Sequence, residues 1–153
     1  MYSCMSILPN ILTYCSLPDF PGSPRYFPVS ASLDGSGYVA CGISPDGIRH
    51  SDIWKYDPLL DSWTKKKDFP GAGREGANIF IVDAKIYIGS GSTASVKLND
   101  YWEYNPITND WIEIAGIPVG RTGAFSFVIA NKVYIGSGLE ADNYINSFWR
   151  LSL

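Results

Sequence analysis

Few residues in this 153-residue chain have side chains suited to chemistry, and the most regular of them are arginines. Arg25, Arg74 and Arg121 step by 49 and 47 residues, each just ahead of an apolar run. Glu75 follows the second arginine directly, while Arg49, His50 and Lys97 lie in polar loops. His50 is the single histidine, and a lone loop histidine is more often solvated than a metal ligand. Cys4, Cys15 and Cys41 are odd in number and irregular in spacing, which is neither a disulfide framework nor a metal pattern. Small, buried or partly buried thiols are the expected reading, with a Cys4–Cys15 bridge as the alternative. There is no Gly-x-Ser-x-Gly elbow and no Walker loop. Gly89-Ser90-Gly91-Ser92 ends a strand pattern, but no helix pattern follows it. Asp57, Asp61, Asn105 and Asn109 sit in turns and read as turn chemistry. No carboxylate pair stands out from such positions for acid–base work. The sequence therefore implies no cofactor and no metal.

Composition narrows the classes further. The chain is 46% hydrophobic and 18% charged, as a globular domain should be. Its net charge of −3 offers no grip on nucleic acid or an anionic membrane. No stretch approaches the ~20 apolar residues of a membrane span. Met1 to Pro9 lacks a basic region and does not read as a signal peptide.

The elements that must position these residues are repeated. Tyr38, Tyr87 and Tyr134 step by 49 and 47; Trp54, Trp102 and Trp149 step by 48 and 47; Trp63 to Trp111 is 48. Four landmarks with one period make repeat architecture the first reading. In the middle unit, Ala77 to Val82 and Lys85 to Ser90 are nearly continuous apolar runs, which predicts strands buried on both faces. Asp100 to Asn105 alternates, with Trp102 and Tyr104 on one face and Tyr101 and Glu103 on the other. Asn105-Pro106-Ile107-Thr108-Asn109 is a turn, and Trp111 to Ile114 is a fourth strand. No window carries a helical period. Each unit is thus a four-stranded antiparallel meander whose first strand is the most apolar. Such a sheet keeps that edge dry only at the centre of a radial array, as a β-propeller blade does.

Particular words in the repeat resemble kelch repeats over roughly residues 11–153. They are Tyr87-Ile88-Gly89-Ser90-Gly91, Asp52-Ile53-Trp54-Lys55-Tyr56-Asp57-Pro58, and the run Trp63 to Gly71. The bacterial members, related to the central domain of galactose oxidase, are the nearest in wording. Where the family has Gly-Gly, the first glycine is here Cys41, Ser90 or Ser137. The resemblance implies an all-β, kelch-type propeller segment of three blades: 24–66, 72–114 and 119–153, the last lacking its fourth strand. Residues 1–10 stay unassigned. Residues 11–17 align with the fourth strand of the first unit, so they would complete the third blade only if a ring closes. Three blades cannot close a ring alone. The chain is expected to be half of a longer six-bladed protein with its N-terminal half missing, to pair with itself three plus three, or to remain an open arc.

In a meander of this kind, the loops between second and third strands (44–50, 92–98, 139–145) share a rim with the blade-to-blade loops (18–28, 68–76, 115–123). The resemblance to kelch adaptors that bind acidic peptides implies ligand contacts for Arg25, Arg74 and Arg121, with Glu75, His50, Arg49 and Lys97 behind them. The alternative is that each arginine bonds carbonyls of its own loop or a local aspartate. The repeated aromatics read as packing between blades. Fold analogy then favours a non-catalytic scaffold, not an enzyme, that presents one rim to a protein partner or an acidic or carbohydrate ligand. The alternative is a carbohydrate-active propeller of the sialic-acid mutarotase or sugar-oxidase type. The oxidase version would need histidine ligands that this chain lacks.

Overall fold

The computed structural model describes residues 4–5 and 14–153. Strand β1 (Cys4–Met5) pairs with β2 (Tyr14–Cys15). The first blade is an antiparallel sheet of β3 (Val29–Leu33), β4 (Ser36–Ala40), β5 (Ile53–Asp57) and β6 (Ser62–Lys65). The second repeats it with β7 (Asn78–Val82), β8 (Lys85–Gly89), β9 (Tyr101–Asn105) and β10 (Asp110–Ile114). The third has β11 (Phe125–Ile129) and β12 (Lys132–Gly136). Then come a small rim hairpin, β13 (Leu139–Glu140) and β14 (Asn143–Tyr144), and finally β15 (Phe148–Leu151) beside β12. Among the described residues β15 has no further strand at its outer edge. The chain is an all-β partial propeller.

The innermost hairpins turn in two residues because both turn residues take positive φ, as type I′ turns require. Asp83 (47°) and Ala84 (57°) do so in the second blade, and Ala130 (48°) and Asn131 (58°) in the third. Neighbouring turns are tied together, since Asn131 Nδ2 donates to Asp83 Oδ1 at 2.8 Å. The innermost strands β3, β7 and β11 pack in that order about the axis.

Two cores lie between three sheets. Tyr38, Ala40 and Ile53 of the first blade meet Ile86, Ile88 and Tyr104 of the second. Phe80, Val82, Tyr87 and Tyr101 on the second blade's other face meet Val133 and Ile135 of the third. The middle sheet is therefore buried on both sides, as its apolar runs predict. An aromatic wedge joins the first blade to the second. Phe69, from the linker, stands edge-on to Trp102 (5.9 Å) and Trp111 (5.2 Å), and Trp111 Nε1 donates to Lys67 O at 2.9 Å. Phe20 makes the same two contacts with Trp54 (5.9 Å) and Trp63 (5.2 Å).

Two expectations meet facts here. Of the proposed outer strand 11–17, residues 11–13 lie outside the described residues, and Tyr14–Cys15 pairs with Cys4–Met5. The reading of all three cysteines as thiols is corrected. Cys15 is disulfide-bonded and lies opposite Cys4 in the β1–β2 register, while Cys41 is free and buried.

Candidate functional site

The rim is built by three short ribbons. The residue after each repeated arginine bridges to the start of the loop following the second strand: Tyr26 to Ile43, Glu75 to Ser92, Thr122 to Leu139. Those residues bridge onward to Arg49, Lys97 and Tyr144. The two loop classes thus share one rim. Very close backbone contact makes this work. A Cβ on Gly73 would lie 2.1 Å from Arg49 O, and one on Gly120 would lie 2.1 Å from Lys97 O. Only glycine lets those strands approach so near.

The repeated arginines lie beneath this rim. Arg74 and Arg121 are fully buried, and the Arg25 side chain is nearly so. Arg74 donates Nε to Ala72 O (2.9 Å), Nη1 to Ser90 O (3.0 Å) and to Asp100 Oδ1 (2.7 Å), and Nη2 to Asp100 Oδ2 (2.8 Å). Arg25 repeats the set with Ser23 O, Cys41 O and Asp52. Each guanidinium also faces a ring, Phe20 at 5.0 Å and Phe69 at 4.5 Å. Burial pushes the Asp52 and Asp100 carboxyls up, but hydrogen bonds from arginine and from Trp54 or Trp102 outweigh it and hold both below the ordinary range. Burial also pushes the Cys41 thiol up to about 12, so it is no nucleophile at neutral pH.

His50 is tucked inward as well. Its backbone bonds Gly42 O (2.9 Å) and accepts from Arg74 N (3.3 Å), the place Leu98 takes for Arg121. The rim exposes apolar side chains, Ile48, Val96 and Tyr144 among them, and carries charge beside them. Arg49 of the first blade meets Glu75 of the second at 2.5 Å, both half-buried. Lys97 lines a cleft of about 470 Å³ between the second and third blades with Ser95, Val96, Val119, Gly120, Glu140, Ala141 and Asp142. Of the seven residues singled out from sequence, Arg49, Glu75 and Lys97 therefore lie at the rim, and Arg25, Arg74 and Arg121 lie under it. Glu140 and Asp142 were missed. They lie in loop 139–145, which the repeat places on the rim, but the pair does not recur in loops 44–50 and 92–98, so the repeat does not single them out. Among the described residues no cluster of three His, Cys, Asp or Glu could hold a metal.

The cleft lining carries one ammonium, Lys97, and two carboxylates, Glu140 and Asp142. The chain is 33% identical over 87 residues to the N-acetylneuraminate epimerase of Shigella flexneri serotype 5b and 32% identical to that of Escherichia coli K12. Each alignment takes in 54% of this chain and 24% of the relative. The solved structure of YjhT superposes with a TM-score of 0.67 at 27% identity, over 81% of this chain and 37% of that one. The fold is that of a β-propeller. No protein-family model matches the chain. The chain spans about a quarter of the length of the curated relatives it matches. These findings overturn the expectation of a non-catalytic scaffold that is not an enzyme, because the curated relatives carry an enzyme's name.

Proposed function

We propose that the rim of this chain serves the epimerisation of N-acetylneuraminate, as an exchange of anomers at the hemiketal carbon. The likeness to the named epimerases carries the proposal, and the Lys97–Glu140–Asp142 cleft supplies groups for it. Exchange needs no oxidant and no net proton. The bond from the anomeric carbon to the ring oxygen breaks as the ring oxygen gains a proton and the anomeric hydroxyl loses one. Rotation and reclosure on the other face reverse both transfers. Lys97 Nζ would hold the substrate's carboxylate, Glu140 and Asp142 would carry the two protons, and the Arg49–Glu75 pair would fix the neighbouring wall. Saturation-transfer NMR with N-acetylneuraminate tests the binding half. Transfer to the sugar that is lost in Lys97→Met is expected; equal transfer in both proteins would remove Lys97 from the site.

The third sheet leaves Phe125, Phe127, Ile129 and Phe148 exposed, whereas the matching residues of the second sheet, Asn78, Phe80, Val82 and Tyr101, are buried against a neighbour. The open face of the first sheet offers small residues, Ser30, Ser32 and Gly37. Large against small is also how the second and third blades meet, with Phe80 and Val82 toward Ser126 and Val128. There Ser126 Oγ donates to Ile79 O at 3.3 Å. A second copy placed head to tail would cover both open faces and close six blades by a two-fold axis.

A further inference from the structure

Arg121 departs from its two counterparts in ways that leave a buried cation uncompensated. The position two residues before the third-strand tryptophan is Asp52 and Asp100 in the first two blades but Ser147 in the third. The linker is also one residue shorter. Arginine follows the wedge residue by five in Phe20 to Arg25 and in Phe69 to Arg74, but by four in Ile117 to Arg121. The first change replaces a carboxylate by a hydroxyl, so that Nη1 meets only Ser147 Oγ and Ser137 O, both at 3.2 Å. In the shorter linker Val119 O, two residues before Arg121, does not accept from Nε as Ser23 O and Ala72 O do in the other blades. Among the described residues, Nε and Nη2 of Arg121 meet no acceptor, although the side chain is fully buried. The residues outside the described set include no Asp or Glu.

These two nitrogens lie on the same edge of the guanidinium, where their N–H bonds run parallel and match the two oxygens of a carboxylate. Trp149 covers one face of the cation at 4.1 Å, which lowers the local dielectric and raises the value of a counter-charge. Two cavities open beside residues that flank or cover the group, although Arg121 itself is fully buried. Val119 and Gly120, just before Arg121, line the rim cleft of about 470 Å³. Trp149 and Pro118 line a second cavity of about 500 Å³ along the outer edge of β15. A bound water would satisfy a hydrogen bond there but not the charge.

We propose that the Nε/Nη2 edge of Arg121 binds a small monocarboxylate, which takes the place Asp52 and Asp100 fill within their own blades. The proposal rests on none of the side chains assigned to the sugar, although Val119 and Gly120 line the same cleft. Thermal unfolding tests it, with sodium chloride replaced stepwise by sodium formate at fixed ionic strength. The melting temperature of the unaltered chain should rise on the order of 2–5 °C. Ser147→Asp, which restores the carboxylate of the other blades, should melt higher without formate and show no response to it. Melting that is unmoved by formate, or Ser147→Asp responding as the unaltered chain does, would overturn the site. An equal gain when sodium nitrate replaces the chloride instead would overturn its preference for carboxylate. Should the variant fail to fold, the ¹⁵Nε resonance of Arg121 in the unaltered chain decides. Saturable displacement by formate supports the site, and an unmoved resonance refutes it.

Discussion

Arg74 and Asp100 meet end-on, each Nη atom on its own carboxylate oxygen at 2.7 and 2.8 Å, with the guanidinium wholly inside the protein. Removing one member of such a pair strands the other. Asp100→Ala should therefore cost about 3–5 kcal/mol in chemical denaturation. Ser147→Ala, which removes only a weak hydroxyl contact, should cost about 1 kcal/mol. Equal losses would mean that the pair does not hold its blade joint.

The same pairs set the acid limit of stability. Asp52 and Asp100 are held below their ordinary value of 3.8, so the folded state binds these protons less readily than the unfolded chain. Their contribution is complete well above 3.8 and is lost as pH falls through the depressed values. Glu103, held down first by the Lys85 hydrogen bond, acts in the same sense. Melting temperature should fall below about pH 4 in the unaltered chain, and less steeply in Asp100→Asn. Parallel slopes would contradict this assignment.

Where kelch sequences have Gly-Gly, Cys41, Ser90 and Ser137 take φ of 61°, 59° and 61°, a region costly for residues with a Cβ. Ser137→Gly should stabilise by about 1 kcal/mol. Ser90→Gly should gain nothing, because Ser90 Oγ donates to Arg121 O at 2.6 Å inside the core. Equilibrium unfolding of the two variants side by side checks this; an equal gain in both would show that the hydrogen bond carries no weight.

The exposed aromatic face of the third sheet gives a prediction about mass. The chain should sediment as a dimer at micromolar concentration, and Phe127→Arg should return it to a monomer without unfolding it. A monomeric unaltered chain would remove the two-copy ring.

The radial sheets were legible because a blade repeats its landmarks. Trp54, Trp102 and Trp149 fix three third strands, and the Asp-x-Trp words even announce the arginine partners. The same alignment shows Ser147 where aspartate belongs, so the odd setting of Arg121 was in principle readable. Whether an arginine just before the innermost strand points to solvent or inward was not readable. That choice depends on Ala72 O, Ser90 O and Asp100 converging in space. Loop 139–145 was legible as a rim loop, but Glu140 and Asp142 within it were not, since the matching loops 44–50 and 92–98 lack that carboxylate pair.

The most direct test follows the two anomers of N-acetylneuraminate by NMR with the purified chain present. The account predicts exchange faster than in buffer, reduced at least tenfold in a Glu140→Gln, Asp142→Asn double variant, as loss of general acid–base groups requires. Exchange at the buffer rate with the unaltered chain would contradict it.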